Sequence, residues 1–329
     1  MDKKVSKRVE QAIAERVFPG CVIGIVHAEG GREAYPFGTT IYGSAGEKVN
    51  ESTVYDVASV TKSIPTASLA SLFIHERKLS LTDQVRRYLP ELKDDHDATI
   101  EDLLRYRVEG PRMSGLSSMS PEEITAYVFK HGFGEQPGVP QYTNLPAFFL
   151  GLVVERVAAD TLDRLSQKYF FDPLGMSSTS FFPNASYMKH CAPTEICEDG
   201  KEVRGEPHDE SARVFAKAGH AVGHAGLFST APNLLDFLEA LLAGKYSHIV
   251  EGAEKGLGWQ VNDPNFMGQH VGPKTFGKTG FTGTSVVCDR ERGVAFVILS
   301  NRTYPKRPPN GDAINAFRRD IADIILGHT

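Results

Sequence analysis

Cysteine is scarce. The 329 residues contain four, Cys21, Cys191, Cys197 and Cys288, too few and too scattered for a disulfide scaffold, although Cys191 and Cys197 lie near enough in the chain to pair. Charge of one sign is not in excess either. The 36 Lys and Arg against 41 Asp and Glu give −5, too mild to indicate a nucleic-acid or membrane-surface binder. Long hydrophobic runs are missing. The longest, Leu145 to Val154, holds Pro146 and Gly151 and falls far short of the roughly 20 residues that span a bilayer. Lys3 and Lys4 are followed by an amphipathic pattern, not by the apolar core of a secretory leader. There is no G-x-S-x-G, no H-E-x-x-H, no dinucleotide fingerprint, no internal repeat and no low-complexity tract. These absences point to a soluble, cytoplasmic protein that uses neither nucleic acid nor a membrane as partner. Oligomeric state stays open.

What is present is an ordinary globular composition, 41% hydrophobic and 23% charged. A chain of this length buries roughly three-quarters of its unfolded surface and is long enough for two domains. Val5, Val9, Ala12, Ile13 and Val17 fall on one helical face, stopped by Pro19-Gly20. Cys21 to Val26 reads as a strand covered on both faces, followed by a turn at Gly30-Gly31 and a second strand from Ala34 to Tyr42. A short strand, Val54 to Val57, leads to Ser59, after which Val60, Ile64, Ala67, Ser71 and Ile74 repeat with helical period. Between about 79 and 219 helical patterns dominate: 100–106, 121–130, 145–157 and 162–171. Strand signals return at 256–261, 275–278, 284–288 and 294–299, the last two joined by the turn 289–293. Ile314, Phe317, Ile321 and Ile324 then mark a final helix with Asp312 as N-cap. Strands at both ends with helices between predict one antiparallel sheet shared by the termini, covered by the terminal helices and interrupted by an inserted helical lobe.

Chemistry concentrates where a strand gives way to a helix, at Ser59-Val60-Thr61-Lys62. Residues three apart share a helix face, so the amine reaches the hydroxyl. A helix N-terminus favours an attacking alkoxide, and a desolvated lysine has a lowered pKa that suits a base. The spacing alone is weak, since Ser186-Tyr187-Met188-Lys189 repeats it. Two further elements follow in order. Tyr142-Thr143-Asn144 comes after the turn Gly138-Val139-Pro140, and Lys278-Thr279-Gly280 ends a late strand.

These three motifs together resemble those of the serine β-lactamase and penicillin-binding-protein superfamily, and the Y-x-N form is similar to its class C and family-VIII-esterase-like branch. The resemblance spans nearly the whole chain: Asp56-Val57-Ala58-Ser59-Val60-Thr61-Lys62-Ser63, Pro173-Leu174-Gly175-Met176, Gly223-His224-Ala225-Gly226-Leu227-Phe228-Ser229-Thr230, Gly256-Leu257-Gly258-Trp259 and Thr282-Gly283-Thr284-Ser285 each stand in the expected order. It implies a β-lactamase/transpeptidase-like α/β fold and a serine hydrolase working through an acyl-enzyme. The sheet lobe would comprise 1–78 and 220–329, the helical lobe 79–219, with the site in the cleft between them. Ser59 would be the nucleophile, and Lys62 and Tyr142 would share the acid–base work. Two nearby lysines would depress the tyrosine pKa. The backbone N–H groups of Ser59 and Phe281 would form the oxyanion hole. Asn144 would orient Lys62 and the acyl group, and Lys278, with Thr279 and Gly280, would bind substrate and offer a cation to a substrate carboxylate. No cofactor or metal is implied. The expected partner is a small ester, amide or peptide, with D-amino peptides and β-lactams behind simple esters and amides.

Two features depart from the pattern. Pro65, in the second turn of the nucleophile helix, removes a backbone bond and bends it. Leu103-Leu104-Arg105-Tyr106-Arg107-Val108-Glu109-Gly110 stands where many relatives read LLTHTSG, so substrate preference does not transfer. Two rival readings stay open, a metal hydrolase and a non-catalytic scaffold. His208-Asp209 and the His220/His224 pair invite the metal reading, but glycines surround the pair, and hydrogen bonding is the better expectation for these histidines.

Overall fold

The structure, a computed structural model, describes residues 3–327. Helix α1 (Lys3–Ala14) precedes the hairpin of β1 (Gly20–His27) and β2 (Arg32–Gly38). The two-residue strand β3 (Tyr55–Asp56) leads to the segment carrying Ser59 and to helix α2 (Ser68–His75). Helices α3 (Pro121–His131), α4 (Leu145–Ala158) and α5 (Glu210–Lys217) follow. The chain then returns through β4 (Phe228–Ser229), α6 (Ala231–Leu242), β5 (Gln260–Val261), β6 (Phe276–Thr279), β7 (Ser285–Asp289) and β8 (Val294–Ser300), and ends in α7 (Asp312–Leu326).

Both ends of the chain build one six-stranded antiparallel sheet in the order β2-β1-β8-β7-β6-β5, as expected. Period-two alternation divides its faces. Cys21, Ile23, Phe296 and Ile298 meet Val5 and Val9 of α1 and Phe317 and Ile321 of α7. Val22, Val26, Val286, Val297 and Leu299 face the other way and meet Leu234, Leu235 and Leu238 of α6. The terminal helices therefore cover one face only, and the sequence reading had singled out nothing for the second. Helix α6 closes so tightly on β1 that a Cβ at Gly24 would lie 2.8 Å from a Leu235 methyl. The same apolar cluster continues into Phe148 and Phe149 of α4, so sheet and helices share one core.

Several boundaries differ from the expectation, each for a local reason. The regular helix expected from Val60 begins only at Ser68. Ile64, the residue before Pro65, sits at φ −116°, ψ 106°, outside the helical region. The second strand ends at Gly38, where backbone turns left-handed, instead of reaching Tyr42. Gly256 and Gly258, both at positive φ, confine the 256–261 strand to Gln260–Val261. Asp312 is the first residue of α7, not its cap; Gly311 holds that place and Asn310 accepts the Asp312 N–H at 3.1 Å. Among the described residues no helix is long and apolar enough to cross a membrane.

Candidate active site

Ser59 lies on a tight 3₁₀ turn, Ala58–Lys62, between β3 and α2. The turn is strained at its entry: Ala58 sits at φ 47°, a left-handed conformation that costs a residue with a Cβ. Buried Asp56 holds it there by accepting the Ala58 N–H at 2.8 Å, while its other oxygen takes the His208 N–H at 2.6 Å. Burial pushes the Asp56 carboxyl up to about 6 against those two bonds. Thr61 braces the exit, donating to the Ala58 carbonyl at 2.6 Å.

The turn places Lys62 under the serine. Its Nζ lies 2.8 Å from Ser59 Oγ and donates to the His224 carbonyl at 2.7 Å, and the residue is only 1% exposed. Desolvation lowers its pKa to about 7, opposed by the nearby charge of Asp209. An amine that is partly neutral near pH 7 and within hydrogen-bond reach of a hydroxyl has the geometry and the basicity of a general base.

The end of β6 forms the opposite wall. The loop after it is pinned to the nucleophile turn by Thr282, which donates to the Asp56 carbonyl at 2.7 Å, and by Thr284, which donates to the Val57 carbonyl at 3.0 Å. Gly280 lets the two segments approach, since a Cβ there would collide with the Thr284 hydroxyl and the Val57 carbonyl. Among the described residues the backbone N–H groups of Ser59 and Phe281 have no acceptor. Thr279, Gly280 and Phe281 line a cleft of about 380 Å³ together with Ser59, Tyr142 and Asn144. One pocket thus holds every residue expected from the motifs except Lys62 and Lys278, which lie behind its surface.

Three expectations change. Lys278 is 1% exposed; its Nζ donates to the Tyr106 hydroxyl at 3.2 Å and sits 4.6 Å from the ring centres of both Tyr106 and Tyr142. Burial, and then the charge of Lys62, hold it well below the ordinary lysine range, and its Nζ faces a hydroxyl and two aromatic rings instead of the open cleft. Tyr142, whose ring lies 5.3 Å from Lys62 Nζ, is not depressed. Its hydroxyl rises to about 12, because burial of that end outweighs a hydrogen bond with Ser59. The ring is 56% exposed, so water tempers the rise without reversing it. The charge of Asp209 adds to the rise, so the expected depression by the two lysines is not seen. Asn144 directs its amide to Asp209 at 2.8 Å, not to Lys62. The second S-x-x-K, whose presence shows only that the spacing alone is weak, lies outside the cleft; Ser186 donates to Asn184, the cap of a surface turn of helix.

Three groups of residues escaped the sequence reading. Asp209 collects Asn144, the Ser211 hydroxyl at 2.6 Å, the Ala212 N–H at 2.9 Å and His224 Nε2 at 3.3 Å. Burial opposes its charge, but the His224 ring and these bonds hold its carboxyl well below the usual range. His224 therefore serves hydrogen bonding, while His220 lies on the wall of another pocket. Tyr106, from the departing segment, is the lid on Lys278. Arg302, Arg307 and Arg318 line the cleft. Arg307 pairs with Glu195 and Glu210 at 2.6 and 2.7 Å, but Arg302 and Arg318 bond only amide and carbonyl oxygens among the described residues. No local motif marks Asp209, Arg302 and Arg307 in their loops or Arg318 on α7 as parts of this cleft.

Residues 5–320 match the profile of a family described as Beta-lactamase. A Salmonella agona protein named "Putative D-alanyl-D-alanine carboxypeptidase" is 30% identical over 319 residues, covering 78% of this chain and 72% of that protein. Among solved structures, "EstCE1, a hydrolase with promiscuous acyltransferase activity" superposes with a TM-score of 0.76 at 21% identity, covering 99% of this chain and 98% of its own. "D-alanine Carboxypeptidase AmpC from Burkholderia cenocepacia" gives 0.73 at 22% identity, with 99% and 98% covered. At these identities the structural likeness speaks for the fold.

Proposed function

The chain belongs to the beta-lactamase family and is a serine hydrolase of that fold; from this premise we propose that it cleaves small esters or amides by acylating Ser59. The observation that carries the reading is the 2.8 Å approach of a buried, partly neutral Lys62 to Ser59 Oγ. In the first step Lys62 Nζ takes the Ser59 proton as Oγ attacks the substrate carbonyl carbon. The resulting oxyanion is held by the N–H groups of Ser59 and Phe281. As the tetrahedral intermediate collapses, the bond to the leaving group breaks and that group receives a proton. Tyr142, protonated at neutral pH, is placed to hand it over, and Lys62 reprotonates the tyrosine. Water then attacks the acyl carbon, gives its proton to the same pair, and Ser59 leaves with a proton restored.

Lys278 serves as a buried polar prop for Tyr142 and Tyr106 in this scheme, and Asn144 and Thr279 line the acyl path. We read the molecule as two lobes, 1–78 with 220–329 and 79–219, the cleft lying between Ser59 on one and Tyr142 on the other. A D-alanyl peptide is a second reading among amides. It is favoured by the name of the Salmonella relative and by two cleft arginines that have no carboxylate partner among the described residues.

The test is kcat/KM over p-nitrophenyl esters, D-alanyl peptides and nitrocefin, with Ser59→Ala as control. Turnover of esters, abolished in the variant, is expected. Comparable turnover by Ser59→Ala overturns the reading, and turnover of D-alanyl peptides alone selects the second.

A further inference from the structure

Arg318 projects from α7 into the floor of the cleft and is 4% exposed. A buried guanidinium without a counter-ion is costly, and burial with the charge of Arg302 pushes this one down to about 9. Its bonds show where the charge is directed. Nη1 donates to Asn315 Oδ1 at 2.8 Å, and Nη2 donates to the carbonyls of Gly280 at 2.8 Å and Thr284 at 2.7 Å. Nε is buried and has no partner among the described residues.

The Gly280 carbonyl and the Phe281 N–H belong to one peptide unit. A cation bonded to the oxygen draws amide electron density towards it, leaves the N–H more positive and strengthens that N–H as a donor. From this juxtaposition we infer that Arg318 is a positioning residue for the oxyanion hole, polarising the Gly280–Phe281 peptide from behind while its second carbonyl contact, Thr284, fixes the loop. Arg302 reinforces the loop one peptide further on, donating to the Phe281 carbonyl at 2.7 Å. Preorganised donors act where charge develops in the transition state, so the contribution belongs to kcat and not to substrate binding. The inference rests on Ser59 acylation as proposed above.

The experiment uses Arg318→Gln and Arg318→Lys with p-nitrophenyl butyrate, the carboxylate-bearing p-nitrophenyl hemisuccinate, phenylboronic acid, and isotope-edited infrared spectra of the acyl-enzyme. Arg318→Gln should lower kcat and kcat/KM together by about tenfold with KM unchanged, less than the 10²–10³-fold loss of a whole donor. The inhibition constant of phenylboronic acid, which forms a tetrahedral adduct on the serine, should rise by a similar factor. The acyl carbonyl band should move to higher frequency, since a weaker donor polarises the carbonyl less, and Arg318→Lys should recover part of each change. An unshifted band with an unchanged boronate constant overturns the inference. So does a loss confined to KM for carboxylate-bearing substrates, which makes Arg318 a direct anion contact. If Arg318→Gln does not fold, Arg318→Lys carries the test, because an ammonium cannot hold two carbonyls in the same fork. Absence of any acyl-enzyme in the wild type overturns the underlying hydrolase reading instead, and this one with it.

Discussion

Lys62 carries most of the chemistry that one residue can express here. Its pKa of about 7 comes from burial, and the charge that limits the fall is Asp209. Two other titratable groups face it, Tyr142 through its ring and Lys278 beyond that ring. The free base is the active form, so kcat/KM should rise with pH through about 7 and level above it. Asp209→Asn removes the anion that favours the protonated amine, so Lys62 should lose its proton more readily and the rising limb should move to lower pH. A pH–rate series on both proteins checks this; an unmoved limb means that Asp209 does not govern Lys62. Lys62→Ala should cost on the order of 10²–10⁴ in kcat/KM. The residues that name their own chemistry, Ser59, Lys62 and Tyr142, were legible in the sequence because three motifs stood in order. Asp209, Tyr106 and Arg318 were not, because each acts through a partner 38 to 172 positions away.

At the scale of the element, the nucleophile segment shows what local rules foresee and what they miss. Pro65 was a visible break, and Ile64 before it leaves the helical region. The consequence was less visible: Ser59 and Lys62 meet on a 3₁₀ turn that side-chain bonds from Asp56 and Thr61 hold, not on a regular helix. Helix α6 was readable and passed over. Thr230 caps it, Pro232 stands in its first turn, and Leu234, Leu235, Leu238 and Leu241 recur on one face. Its role follows from the packing of Leu235 against Gly24 and Val297, whose methyl also crowds that glycine. Leu235→Ala should therefore destabilise the protein by about 2–5 kcal/mol, while Glu239→Ala on the outer face should stay within about 0.5 kcal/mol. Urea denaturation measures both, and equal effects would show that α6 does not seal the sheet.

Across the whole molecule, the site is assembled from segments that are distant in the chain. Ser59 and Lys62 come from the passage between β3 and α2, Tyr142 and Asn144 from the loop before α4, and Asp209 from the cap of α5. Phe281 follows β6, and Arg318 lies on α7. The shared sheet was legible because strand patterns cluster at both termini. The electrostatics were not, because a net charge of −5 says nothing of a cleft backed by two buried lysines and lined by two arginines that have no carboxylate partner among the described residues. The central claim, that this assembly makes Ser59 a nucleophile, has a direct measurement. The protein is treated with a fluorophosphonate, weighed intact, digested and mapped. A single adduct on the peptide carrying Ser59, absent in Ser59→Ala and slowed in Lys62→Ala, is the expected result. An adduct on another residue, or an equal one in Ser59→Ala, contradicts it.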